Sequence, residues 1–267
     1  MRIYLANVGA NASHPFASPI FEDGAFEFLP IPEGERRLDA SPHMARYRDL
    51  RSHYAAARDL TCYVPERYWG YACHNDPEFE TFTYGDMCDA NARASGLRSI
   101  RPGDALLFLA RLEKWRDGRR TGEFGFYLIG GLRVEWILPS VSEALTGRDA
   151  ERAATNAHVR KARADGEWNG FWVFGGSPRL SRRFDRVVPV NKELCEQVFR
   201  DASGNPWQWP SHRSELSVIG SYTRTCRCVL DTAVTDQARR ADTLRAWIAE
   251  HGGAEGVVVL AGEASGE

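Results

Sequence analysis

Apolar residues along this chain fall into short blocks, and the spacing within the blocks changes several times. The clearest block is Ala105 to Leu112, a near-continuous apolar run. A turn, Arg101-Pro102-Gly103-Asp104, precedes it, and a charged stretch from Lys114 to Gly122 follows. Phe124 to Ile137 supplies a second apolar run. Continuous rather than alternating apolarity predicts strands covered on both faces, here a β-hairpin or two adjacent buried strands. Shorter blocks predict strands at Ile3 to Val8, Phe26 to Leu29, Gly170 to Phe174, Val187 to Val190, Leu216 to Ile219, Thr225 to Leu230 and Gly256 to Leu260. Pro30 and Pro32 stop the second of these.

Helical spacing appears over Arg46 to Leu60, Asp86 to Ser95, Ala150 to Ala164, Lys192 to Asp201 and Thr235 to Glu250. Asp86 is the expected N-cap of the second. Thr61 to Thr83 is aromatic and irregular, with Tyr63, Tyr68, Trp69 and Tyr71. Strands and helices interleave without a regular βαβ cadence, which predicts an α+β fold around a mixed, strongly curved sheet. No internal repeat or low-complexity linker divides the chain. One compact unit is expected over residues 1–262, with a loose tail at 263–267.

Composition changes this picture little. The 267 residues are 43% hydrophobic and 26% charged, enough for a sizeable core. No stretch approaches the ~20 apolar residues that a membrane span needs. Asn7 and Asn11 interrupt the first apolar run too early for a signal peptide. A cytoplasmic location without membrane contact is the expectation. A net charge of -2 gives no global nucleic-acid signature. The basic residues are nevertheless almost all Arg, with Lys only at 114, 161 and 192, and RLSRRFDR (179–186) is a local basic patch.

Several familiar chemistries find no pattern. The six cysteines lack paired Cys-x-x-Cys spacing, the histidines never fall at i,i+4, and no metal-ligand motif is evident. There is no phosphate loop, dinucleotide glycine fingerprint or serine elbow. The cofactor therefore stays unassigned.

Candidate chemistry begins in the loop after the first strand, NVGANASH, where Asn11, Ser13 and His14 have almost no apolar side chain around them. A rigid strand that ends in polar groups and one imidazole is a common way to build a site. There His14 is either a general base, with Asn11 and Ser13 orienting a substrate, or an imidazole bonding its own loop. In the predicted helix 150–164, Asn156 and Arg160 are four apart and share a face, while His158 points elsewhere. Arg160 suits a phosphate, and His158 is either catalytic or a satisfied structural histidine. Ser177 follows Gly175-Gly176, where a backbone can approach a ligand closely. Trp168 lies just upstream as a stacking candidate. Ser221, Tyr222 and Arg224, between two predicted strands, form either a pocket lining or a hairpin turn.

These motifs together resemble a known family. NVGANASH with SPIFEDGAFEFLPIPE, GDALLFLARL, NAHVRKA and SVIGSYTRTCRCVL look like the nucleotide-modification-associated-domain family of the third type, across nearly the whole chain. That resemblance implies a role in hypermodification of DNA bases in phages or bacteria, with a nucleotide or DNA base as partner. It raises Asn11, Ser13 and His14 to leading site candidates, followed by Asn156, His158 and Arg160, then Ser221, Tyr222 and Arg224. A looser resemblance covers residues 101–190, where GD-LLF, a glycine-rich strand and GS…FDRVVPV are similar to PUA-like and EVE-like β-barrels that bind modified or flipped bases. It implies a PUA-like barrel with flanking helices. The expected function is recognition or processing of a modified nucleobase or nucleotide. A non-catalytic reader of modified bases and an accessory scaffold are the alternatives.

Overall fold

The computed structural model describes residues 1–11, 13–33, 44–201, 203–207 and 226–261. Its frame is a mixed sheet with the strand order β10-β1-β6-β7-β8-β5. These strands are β1 (Arg2–Val8), β5 (Thr83–Asp86), β6 (Ala105–Arg116), β7 (Arg119–Val141), β8 (Phe171–Gly176) and β10 (Arg227–Asp231). Two further strands join off this path: β2 (Ser18–Ile20) on β6, and β9 (Arg182–Pro189) on β7. A separate two-stranded ribbon pairs β3 (Ile31–Pro32) with β4 (Cys73–His74).

The predicted hairpin is the spine of this sheet. β6 and β7 pair antiparallel from Ala105↔Arg133 to Arg116↔Arg119. On β7, β8 pairs with residues 134–141 and β9 with residues 127–131, so β8 and β9 act as one strand interrupted by the turn at 177–181. β1 and β2 both run parallel to β6, one after the other, from Ile3↔Ala105 to Ile20↔Lys114. The opening loop is thus an excursion between two segments of one strand line. Gly9 starts it at φ +75, where a Cβ would also sit 2.8 Å from the Phe28 ring.

Both faces of the spine are buried, which explains its continuous apolarity. Tyr4, Ala6, Leu106, Phe108 and Ile129 face one core, and Ile3, Leu5, Leu107, Leu109 and Leu128 face the other, the period-2 alternation of strands. Helix α4 (Thr235–Gly252) covers the second face with Ala241, Leu244 and Ile248. The other α-helices among the described residues are α1 (Gly147–Arg152), α2 (Ala157–Asp165) and α3 (Lys192–Gln197). α2 packs through Val159 and Ala162 against Leu138, Val141, Phe171 and Val173.

The α+β class and mixed sheet agree with expectation, but the barrel does not. The sheet ends at β10 and β5, which do not pair with each other, so no closed PUA-like barrel forms over 101–190 and the sheet is not strongly curled. The segment 87–100 lies between these two ends. There Arg93 Nη2 bonds Asp86 Oδ2 at 2.9 Å, and Cys226 N donates to Arg93 O at 2.8 Å.

Other differences have local causes. Arg46 to Leu60 is not an α-helix: Ser52 Oγ and His53 N both turn to the buried Glu27 carboxylate, and Arg51 bridges to Asp59. Asp86 ends β5 rather than capping a helix. The helix predicted over 150–164 breaks at Asn156, whose side chain caps α2 by accepting from His158 N at 3.0 Å. Phe26 makes only an isolated bridge with Ile20, while Ala254 to Leu260 winds as 3-10 turns. In the latter segment side chains replace a ladder, since Arg133 donates to Val259 O and Arg245 to Leu260 O. The strand predicted at 216–219 lies outside the described residues. Among the described residues no helix is long and apolar enough to cross a membrane.

Candidate functional site

Five separate segments meet around a cavity of about 490 Å³. They are the end of β1 with its loop (Asn7, Gly9, Asn11), the β3–β4 ribbon (Glu33, His74, Asp76), β5 (Gly85, Asp86), the following turns (Asn91, Arg93) and the start of α2 (His158, Lys161). Local structure explains each placement. Pairing of Pro32 with Cys73 brings Glu33 beside His74, and Glu33 N donates to Ala72 O at 3.0 Å. Asp76 N turns back to His74 O at 2.8 Å, which keeps both side chains on the cavity. β5 then supplies the Gly85 amide, which donates to Asp76 Oδ2 at 2.8 Å.

His158 enters from the other side. Its ring lies directly over Gly85, where an added Cβ would be 2.4 Å from His158 Cδ2. It stacks on Phe171 at 5.5 Å and meets His74 edge-on at 4.5 Å. The Nε2 atoms of His74 and His158 both lie 3.7 Å from Asp76 Oδ2. His74 Nδ1 contacts Glu33 Oε1 at 2.5 Å, and Lys161 Nζ, one turn beyond His158, reaches Glu33 Oε2 at 3.2 Å. Asp86 forms a second buried anionic point, accepting from Tyr84 Oη at 2.8 Å and from Arg93.

Neighbouring charges set these two histidines apart. For His74 burial opposes the charge, but the Asp76 and Glu33 carboxylates outweigh it and raise its pKa to about 9. His158 is pushed well below the ordinary value, first by burial and then by the His74 charge. Burial likewise raises Asp76 to about 6 against the pull of His74. Glu33 is buried too, yet His74 and Lys161 overcome that and hold it at about 2. The two imidazoles are thus driven opposite ways, His74 toward the protonated ring and His158 toward the neutral one. That neutral ring can take a proton, donate an electron pair or ligate a cation.

The candidates from the sequence divide between this cavity and other places. Asn11 and His158 line it. Asn156 is fully buried behind it, where its amide caps α2 and reaches Thr83 Oγ1 at 3.4 Å. His14 is outside the lining and its Nδ1 accepts from Asn11 N at 3.1 Å, while Ser13 Oγ donates to Asn11 Oδ1 at 2.7 Å. Arg160 is half-buried on α2, beyond the cavity lining. Trp168 stacks on Phe171 at 6.0 Å in the apolar cluster beneath α2, and Ser177 holds the turn between β8 and β9 through backbone bonds with Arg133 and Ser181. Ser221, Tyr222 and Arg224 lie outside the described residues.

Sequence reasoning missed Glu33, His74, Asp76, Asp86, Arg93 and Lys161. The one available signal was His74-x-Asp76, which puts an imidazole and a carboxylate on one side of an extended segment. The model of nucleotide modification associated domain 3 matches residues 2–244. The chain belongs to that family. Its match includes every residue of this cavity and both ribbon strands. No curated protein and no solved structure gives a significant match. Membership of this family ties the chain to a nucleotide modification system.

Proposed function

We propose that this cavity takes a nucleobase or nucleotide and that its histidine–carboxylate floor processes it, within a DNA base-hypermodification system. The observation that carries this reading is the convergence of His74, Asp76 and His158 beside Glu33 at the bottom of an open, polar cavity. A solvated surface would not require two imidazoles and two carboxylates to be withdrawn from water together. The cavity volume is in the range of small-molecule sites, about 300–1,000 Å³. Asn7, Asn11 and Asn91 also line the cavity, and side-chain amides suit the edge of a base. Lys161 and Arg93, each about two-fifths exposed, place positive charge where a phosphate would enter. The neutral His158 brings an electron-pair donor to that floor.

The test is nucleoside mass spectrometry of DNA from cells that express the wild type or His158→Gln. A new nucleoside made only by the wild type is the expected result. Unchanged DNA in both, with tight His158-dependent binding to a modified oligonucleotide, would overturn processing in favour of a reader.

A further inference from the structure

We propose that His74, Asp76 and His158 form a binding site for one divalent transition-metal ion, open to the cavity. Each residue offers a ligand atom, and the three atoms lie within 4.8 Å of one another. Both imidazole Nε2 atoms face the same carboxylate oxygen at 3.7 Å. First-row ions take bonds of about 2.0–2.2 Å to such donors, so a small side-chain adjustment closes the three around one ion. Two histidines and one carboxylate are the ligand set of ions such as Fe²⁺, Mn²⁺, Co²⁺ and Zn²⁺, and three protein ligands leave positions for water or substrate.

Two independent observations point to a ligand here. Asp76 has a side chain only 2% exposed, and its Oδ1 is buried with no hydrogen-bond donor among the described residues. A buried carboxylate oxygen left without a donor is costly unless something positive meets it. His74 is also already held as a ligand would be: its Nδ1 is fixed by Glu33, which Lys161 steadies in turn. A carboxylate on the far nitrogen is the usual outer support of a metal-bound imidazole, because it fixes ring orientation and strengthens the donor. Gly85 completes the arrangement by letting the His158 ring close over β5 toward Asp76.

What the ion would do rests on reading this cavity as the working site, but its binding is measured without substrate. Protein dialysed against a chelator is titrated with Co²⁺, read by visible absorption and calorimetry, and then competed with Zn²⁺. One ion per chain is expected. His158→Gln and Asp76→Asn should each weaken binding on the order of a hundredfold, and Glu33→Gln about 10–100-fold. His53→Gln, on the exposed surface, should bind as the wild type does. Circular dichroism and melting temperature establish that each variant is folded, and the isosteric Asp76→Asn guards against loss of His158→Gln to misfolding. Absence of saturable one-ion binding by the wild type, or unchanged affinity in folded Asp76→Asn, overturns the metal site. Binding of 2′-deoxynucleoside monophosphates to the metal-free protein is measured in parallel. Nucleotide binding without metal binding overturns the metal site alone, and metal binding without nucleotide binding overturns the cavity reading alone.

Discussion

Gly85→Ala is the smallest change that reaches the centre of the site. The added Cβ would lie 2.4 Å from His158 Cδ2, 3.1 Å from its Cγ and 3.0 Å from Asn156 Oδ1. The ring has little room to retreat, because Phe171 stacks on it and His74 closes its edge. Overpacking of this kind costs about 1–3 kcal/mol. Ala restricts the unfolded chain more than Gly, which offsets about 0.4–1 kcal/mol. The net loss is therefore on the order of 1–2 kcal/mol, or a fall in Tm of about 2–8 °C for a chain of this size. The displaced ring also moves from Asp76, so Co²⁺ affinity should fall with stability. Gly70→Ala is the control, since its Cβ would meet nothing within 4 Å. Its Tm should hold or rise slightly, with Co²⁺ binding intact. Equal stability and equal Co²⁺ affinity in Gly85→Ala and wild type would refute the claim that this glycine seats His158.

Glu27→Ala should lose about 3–5 kcal/mol in urea denaturation, because it strands the buried Arg183 guanidinium 3.8 Å away and frees Ser52 and His53. The double variant with Arg183→Met should lose less than the sum of its parts. Asn156→Ala removes the α2 cap and should cost about 1 kcal/mol in the same assay. Thiol labelling of the native protein should modify Cys62 and Cys228 alone, since Cys73, Cys88, Cys195 and Cys226 are buried. Burial further raises Cys73 to about 12 and Cys226 to about 11, so neither yields thiolate near neutral pH. His14 titrates below its ordinary value because it is half-buried, so folding favours its neutral form. Its contribution is full above its unfolded pKa of about 6.5 and is lost as pH falls below that. Melting curves from pH 8 to 5 should thus decline more steeply for the wild type than for His14→Gln.

Much of the frame was legible because it obeys local rules. The β6–β7 hairpin follows from two apolar runs around a charged turn, and α4 from its helical spacing and length. Elements failed to match where a distant side chain decided the local conformation. Arg46 to Leu60 has helical spacing, but Glu27 pulls Ser52 and His53 out of it. Residues 256–260 are apolar enough for a strand, yet Arg133 and Arg245 satisfy their carbonyls and no neighbouring strand is needed. The barrel failed on connectivity: similarity of strand wording over 101–190 says nothing about which edges meet. Here β1 takes the β6 edge, and β5 ends the other side at β8.

The site was harder to read than the fold because its parts are far apart in the sequence. The opening loop concentrates polar residues, but concentration along the chain lets them satisfy one another. Asn11, Ser13 and His14 bond mainly within their own turn, and Asn11 also reaches the cavity edge. The cavity floor has the opposite character. Its groups come from β4, β5, α2 and the residue after β3, each flanked by ordinary sequence, and each has a satisfying partner only once the fold is complete. Glu33 needs Lys161, Asp76 needs the Gly85 amide, and His158 needs the space that Gly85 leaves. Even then Asp76 Oδ1 stays without a donor among the described residues. A fold that gathers four ionisable groups, and leaves one buried carboxylate oxygen among them without a donor from the described residues, carries a standing cost in desolvation. A bound cation at that point would offset it, which is why metal binding and the seating of His158 are the measurements that bear most directly on what this cavity does.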